Sequence, residues 1–235
     1  MLALNQTKKY RVYTLDFWGF GESAKKDQAN PESSEPSAFE IDSYVEMVYQ
    51  FMEALGIVEA TILGHSMGGT VALKMALKYP ERVKKVAVVC SPIVGTSLHT
   101  LLRLAGFDNI AKLLWAYPII RQTILNILLH GDSADIREMI SKDIKQATME
   151  SFFRSIDDLK NTDLRDDLIN LKIPTLGIYG ENDNIVSPKN AGWLQETTKS
   201  AQIMVVEKSR HFPMTDYPHL FIDRLDRFLN NGHAA

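Results

Sequence analysis

Apolar residues recur along this chain with two periods, and segments of each kind take turns. Tyr10 to Leu15 reads as a strand, ending at Asp16 and the glycine-rich turn Gly19-Phe20-Gly21. The polar stretch from Ala24 to Glu40, with two prolines, reads as a loop. Ser43 and Glu46 have the spacing of a capping box. The helix behind them carries Tyr44, Val48, Phe51, Met52 and Leu55 on one face and stops at Gly56. Ile57 to Leu63 is a short apolar strand. It runs through Gly64-His65-Ser66-Met67-Gly68 into a helix from Thr70 to Tyr79, closed by Pro80, and Val83 to Cys90 is another strand.

The character then changes. From about Ile93 to Asn170 every periodic segment has helical spacing. Pro118 suits a first helical turn, and Gly131 closes that helix behind the apolar run Ile124 to Leu129. Alternation resumes with Ile173 to Tyr179 (strand), Ala191 to Thr198 (helix), Ile203 to Val206 (strand) and His219 to Asn230 (helix). The pattern predicts an α/β fold, a mostly parallel sheet with helices on both faces. Its simplest organisation is one core built from residues 1–92 and 171–235, with 93–170 inserted as a helical cap. The most apolar window, Ile110 to Leu129, is broken by Lys112, Pro118, Arg121 and Asn126, so amphipathic helices are expected there and no integral membrane segment.

A chain of 235 residues holds one such domain with an insertion and is short for two independent cores. With 45% hydrophobic and 23% charged residues it has the composition of a folded domain, and its net charge of −3, with both signs interspersed, leaves no basic stripe for nucleic acid. Cys90 is the single cysteine. It excludes an internal disulfide framework and multi-cysteine zinc sites, and fits a reducing, cytoplasmic setting. At the end of the apolar run Val86-Ala87-Val88-Val89 it reads as a small buried hydrophobe. No metal and no cofactor is expected.

Candidate chemistry centres on Gly64-His65-Ser66-Met67-Gly68, a G-x-S-x-G pattern. At roughly 7% each for Gly and Ser, about one random chain in twelve would match it somewhere, so the pattern alone decides little. Its position decides more. Between a strand and a helix, so sharp a turn lifts the serine above the sheet and asks for tiny flanking side chains. The helix behind aims its N-terminal N–H groups at developing negative charge. A structural turn with a capping serine is the alternative.

A serine nucleophile needs a positioned base. Of the six histidines, His211 follows the strand Ile203 to Val206 and falls at the carboxyl edge of the sheet, where open parallel sheets place their sites. His65 adjoins Ser66, but neighbouring side chains on a tight turn diverge, and it reads as structural. His219 opens a helix, His233 lies in the tail, and His99 and His130 fall in the insertion, facing solvent. The third group must orient the imidazole. Asp183 follows the strand Ile173 to Tyr179 through Gly180-Glu181-Asn182, and Glu181, two residues nearer the strand, competes with it.

Taken in the order Ser66, Asp183, His211, these elements resemble the α/β-hydrolase superfamily, most of all its single-domain esterase and lipase-like branch with a helical cap. The resemblance covers essentially the whole chain. The run from Tyr10 to Ser23 is similar to the family's strand and turn before the first helix pair, and Gly64 to Gly69 to its elbow. Ile173-Pro174-Thr175-Leu176 through Asp183 resembles the acid-bearing strand, and Arg210-His211-Phe212-Pro213 the histidine loop. The resemblance implies a serine hydrolase of carboxylic esters or thioesters. Ser66 would attack the carbonyl, His211 take its proton and later activate water, Asp183 hold His211, and the Met67 N–H serve the oxyanion hole. Asp16 and Ser23 would fix their turn. Carbon–carbon bond hydrolysis and cofactor-free peroxidation share this triad, whereas a dehalogenase or epoxide hydrolase needs a carboxylate at position 66. The implied partner is a small-molecule ester or thioester with an apolar acyl group. Cap residues such as Leu101, Leu113, Trp115, Ile119 and Leu125 would line its pocket, or else pack as helix–helix core.

One departure stands out. The superfamily has an earlier strand ending in a His-Gly turn whose N–H completes the oxyanion hole, and His-Gly does not occur before residue 64. Met1 to Lys9 reads as the tail of the helix that follows that strand. Losing one oxyanion donor costs about 10²–10³ in rate. Orphaning about five buried backbone groups at about 1–3 kcal/mol each rivals a domain's stability of about 5–15 kcal/mol. The chain therefore reads as a fragment or mis-assigned start. Tyr10 to Leu15 and Ile57 to Leu63 are then expected to run parallel, unpaired, about 9–10 Å apart. A non-catalytic relative acting as a binding module through its cap is the rival reading.

Overall fold

The computed structural model describes residues 9–25, 39–105 and 117–230. Among them one sheet forms from four parallel strands in the order β1 (Ala60–His65), β2 (Val83–Val89), β3 (Thr175–Gly180) and β4 (Ala201–Val206). Two helices flank β1 in sequence, α1 (Ile41–Ala54) and α2 (Met67–Lys78). Between β2 and β3 lie α3 (Thr100–Ala105), α4 (Pro118–Leu128), α5 (Ala134–Gln146), α6 (Met149–Asn161) and α7 (Arg165–Leu168). Then come α8 (Lys189–Thr197) between β3 and β4, and α9 (Pro213–Asp216) and α10 (Pro218–Asn230) behind β4. Every connection between neighbouring strands is helical, which returns the chain to the starting edge and makes the pairing parallel.

The run Val86-Ala87-Val88-Val89 shows how an unbroken apolar stretch serves two cores. Val86 and Val88 pack on the side of α1, α2 and α8, while Ala87 and Val89 meet Phe221, Leu225 and Phe228 of α10. Lys85 in the same strand is only 6% exposed. Its ammonium donates to the carbonyl oxygens of Phe228 (2.8 Å) and Leu229 (2.7 Å), at the end of α10 where the helix dipole favours a cation.

Two local expectations give way to tertiary contacts. The helix α1 starts at Ile41, so Ser43 lies buried inside its first turn and no capping box forms. The Ile41 N–H donates instead to Asp158 Oδ2 of α6 (2.7 Å), while Glu46 accepts from the Tyr79 hydroxyl (2.7 Å) and pairs with Lys78. Tyr10 to Leu15 is not a strand. It makes no backbone hydrogen bond to β1, yet its side chains still alternate. Tyr10 and Val12 pack on the α10 side, whereas Leu15 packs on the α1 side and Tyr13 meets Phe51 edge-on at 5.9 Å. An apolar pattern specifies the two faces, but a ladder needs a neighbour. Among the described residues none pairs with the outer edge of β1, which is half-buried along most of its length while β3 is buried throughout.

In the insertion, Ser133 and Thr148 cap α5 and α6 by accepting from the Ile136 N–H (3.3 Å) and the Ser151 N–H (3.0 Å). Leu125 is buried against Phe153, with Ile124, Ile140 and Ile144 around them, so it belongs to helix–helix core; Ile119 is 82% exposed. The Gly19 carbonyl oxygen accepts from the Thr148 N–H (3.0 Å) and Ser151 Oγ (3.0 Å), tying α6 to the turn behind Asp16. Leu113, Trp115, Met1 to Lys8, most of the Ala24 to Glu40 loop and His233 lie outside the described residues. Among the described residues, no helix is long and apolar enough to cross a membrane.

Candidate active site

With β1 ending at His65 and α2 starting at Met67, Ser66 alone turns the chain. It does so at φ 52° and ψ −126°, a left-handed conformation that costs a non-glycine residue about 1–3 kcal/mol. Its N–H donates to the Val89 carbonyl oxygen (2.8 Å), which anchors the turn to β2. A Cβ at Gly64 would collide with the Gly68 carbonyl group, so strand and helix meet this closely only because position 64 carries a hydrogen. Gly68 faces open space, contrary to the expectation that both flanks must be tiny; the other crowded position is Gly69, against Ser91. Gly64→Ala is therefore expected to cost about 3 kcal/mol in chemical denaturation. Gly68→Ala should be neutral or stabilise by up to about 1 kcal/mol, alanine being the better helix former. Equal losses would contradict this geometry.

Asp183 and His211 follow the carboxyl ends of β3 and β4 and meet there. Asp183 Oδ1 accepts from the Ile185 N–H (2.8 Å) and the Val186 N–H (2.9 Å), and Oδ2 lies 2.8 Å from His211 Nδ1. The two side chains are 1% and 4% exposed. An ionised carboxylate only accepts, so the imidazole proton sits on Nδ1 and Nε2 keeps its basic lone pair. Glu181, the competitor, is exposed and accepts from the Lys208 N–H (2.9 Å).

His65 braces the histidine loop. Its Nε2 lies 2.8 Å from the His211 carbonyl oxygen, which can only accept, so Nε2–H donates. Its ring stands 4.7 Å from that of His211 and 5.2 Å from that of Phe212. Burial, and then the neighbouring His211, push the His65 imidazole down to about 3. The unfolded chain therefore takes up this proton first. Stability from a neutral His65 is complete above its ordinary value of about 6.5 and is lost as pH falls toward the depressed one. Acidification through that window should lower the melting temperature of the native protein more steeply than that of His65→Gln, which keeps the donor and removes the titration. Parallel curves would show that His65 does not carry the effect.

Elbow and histidine loop are thus held side by side through His65. Ser66 Oγ itself is not hydrogen-bonded to His211 among the described residues, a contact that commonly closes only with substrate. The Met67 N–H is in the first turn of α2, where N–H groups have no intrahelical partner. Cys90 Sγ, an Asp183 oxygen and a His211 nitrogen lie within 4.8 Å of one another. Burial pushes the Cys90 thiol well up, and Asp183 and His211 already hold each other.

The remaining histidines are peripheral to this pair. His219 and His130 are exposed, and half-buried His99 accepts the Leu101 N–H at Nδ1 (3.1 Å). Together with Thr123, Asn126, Ile127 and Asn184, His99 and His130 line a cavity of about 450 Å³ between α4 and the acid loop. No periodicity marks Asn184 or His99 as cavity residues; they are brought there by the loops behind β3 and β2.

A family model described as alpha/beta hydrolase fold matches residues 1–218. The pimeloyl-(acyl-carrier protein) methyl ester esterase of Aeromonas hydrophila is 27% identical over 241 residues, 94% of this chain and 85% of that protein. The crystal structure of a hydrolase from Pseudomonas aeruginosa PA01 superposes with a TM-score of 0.75 at 20% identity, over 92% of this chain and 78% of that one, a likeness of fold alone. The meta-cleavage product hydrolase from Pseudomonas fluorescens IP01 gives 0.73 at 25% identity, over 95% and 80%. With a parallel sheet flanked by helices, an elbow behind β1 and a family match over most of its length, the chain belongs to the α/β-hydrolase-fold family.

Proposed function

We propose that this chain is a serine hydrolase that cleaves a small-molecule carboxylic ester or thioester through an acyl-enzyme on Ser66. The observation that carries the reading is the buried Asp183–His211 pair, oriented so that Nε2 is the basic nitrogen and held against the elbow by His65. In this reading Nε2 takes the Ser66 proton as Oγ attacks the carbonyl, and the Met67 N–H, at the positive end of α2, meets the oxyanion. The protonated Nε2 then gives that proton to the leaving alcohol or thiol as the C–O or C–S bond breaks, and water activated by the freed nitrogen releases the acid. Residues 1–92 and 171–235 act as the core, and 93–170 as a cap over the carboxyl edge of the sheet. Similarity to an esterase supports ester cleavage. A cytoplasmic setting rests on the lone Cys90.

Stopped-flow mixing with a p-nitrophenyl ester tests the covalent step. A burst of about one equivalent of p-nitrophenolate before steady turnover is the expected result where deacylation limits. Steady release without a burst, together with no adduct trapped by acid quench, would count against an acyl-enzyme.

A further inference from the structure

The histidine loop is tied to the insertion at the turn His130 to Asp132, between α4 and α5. Arg210, the residue before His211, donates from Nη1 to the His130 carbonyl oxygen (2.5 Å). Its guanidinium packs against Gly131, which takes φ +85° and has no room for a Cβ on that side. The backbone of Arg210 is fixed to the core. Its N–H donates to Asp216 Oδ2 (3.0 Å), which also accepts from Ser209 Oγ (2.7 Å), and its carbonyl oxygen lies against Gly180 at the end of β3. Arg210 thus spans the two parts, with His211 next in the chain.

Asp132 completes this turn and is only 4% exposed, and neither of its carboxyl oxygens has a hydrogen-bond partner. Leu129 and Ile136, on either side of it in sequence, pack with Phe212 beside the catalytic pair. The charged groups acting on Asp132 are Asp216 of α9, Arg210 and His211 of the histidine loop, and Asp183 of the acid loop. Burial first, and Asp216 next, raise its proton affinity, and the two basic groups oppose them. A buried ionised carboxylate pairs with a guanidinium within reach. Arg210 bonds a neutral carbonyl instead, the arrangement suited to a carboxyl that holds its proton.

We propose that Asp132 and Arg210 are positioning residues for His211, acting as a proton-operated clasp between the insertion and the histidine loop. With Asp132 protonated, the guanidinium stays on the His130 carbonyl and the loop is held as described. When Asp132 releases its proton to solvent, the guanidinium turns from His130 to the carboxylate, and the backbone on which His211 sits moves with it. The consequence for rate rests on the reading of His211 as the base; the movement itself does not.

The test compares the native protein with Asp132→Asn and Arg210→Gln. Melting curves report the proton on Asp132. A carboxyl with a raised value in the fold stabilises below its ordinary range and loses that contribution as pH rises through the raised value. Asp132→Asn should match the native protein at about pH 4 and melt about 2–4 °C higher at about pH 8. The imidazole signal of His211, followed by NMR across the same range, reports its position without any need for activity. Beyond the step from the imidazole's own protonation, a second shift step is expected at the upper end of the range over which the melting curves diverge, present in the native protein and lost in both variants. A corresponding step in kcat with unchanged KM should disappear from both. A second step that survives in either variant, or a melting profile of Asp132→Asn parallel to the native one, would overturn the clasp. If the NMR step behaves as expected while ester turnover is absent, the functional reading fails and the clasp stands.

Discussion

Replacing Ser66 with alanine is expected to lower kcat on an ester substrate by about 10⁶, with stability changed by less than about 0.5 kcal/mol. The rate loss follows from removing the atom that bonds to the acyl group; what remains is the elbow N–H and the bound geometry, worth about 10³–10⁴ over water. Stability should hold because the backbone, not the hydroxyl, makes the turn. Ser66 is at φ 52° and its anchoring bond runs from its own N–H to Val89. Alanine bears the same left-handed strain as serine and keeps that bond. Turnover with purified variant and a melting curve by circular dichroism separate the two effects. A variant that keeps more than about a hundredth of the native kcat would mean that the nucleophile lies elsewhere.

Asp183→Asn is expected to lower kcat by about 10⁴ through a reversal of the hydrogen bond to His211. The Ile185 and Val186 N–H groups both donate to Oδ1, and they fix the orientation of whatever amide replaces the carboxylate. The oxygen must stay on those donors, so the new NH₂ faces Nδ1. His211 then accepts at Nδ1 and carries its proton on Nε2, the nitrogen that has to take the Ser66 proton. The fold keeps every bond at the turn, and the chemistry loses its base. Glu181→Gln should change kcat by less than about twofold, because Glu181 meets only the exposed Lys208 N–H. Measured side by side on one substrate, the opposite ranking would assign the acid to Glu181.

The kinds of elements and their order were legible because apolar spacing reports which faces are buried. Val86 to Val89 reads as a strand covered on both sides, and the structure fills both sides. What spacing omits is the partner. Tyr10 to Leu15 alternates as a strand does, and its faces are occupied as the alternation implies, but the ladder belongs to a neighbour that its own residues do not specify. Ser43 and Glu46 carry a local capping signal that loses to Asp158, a residue from another helix. Leu125 has the period of a buried helical face, and the period is silent on whether that face meets a ligand or Phe153.

At the site the same limit holds. Ser66, Asp183 and His211 could be nominated because each follows a strand at the carboxyl edge. The choice of Asp183 over Glu181 turns on two backbone N–H groups and one imidazole that only the folded loop brings together. The bond from His65 to the His211 carbonyl oxygen, the cavity at Asn184, and the meeting of Arg210 with the turn at Gly131 have no sequence signature, since each joins segments far apart in the chain.

Covalent labelling by a fluorophosphonate, read by mass spectrometry of the intact protein and of its peptides, tests the central claim most directly. The claim is that Ser66, activated by His211, is the nucleophile. One adduct per chain, located on the peptide that carries Ser66 and absent from Ser66→Ala, is the predicted result. An adduct on any other residue, labelling that persists in Ser66→Ala, or a folded protein that takes up no label would contradict it.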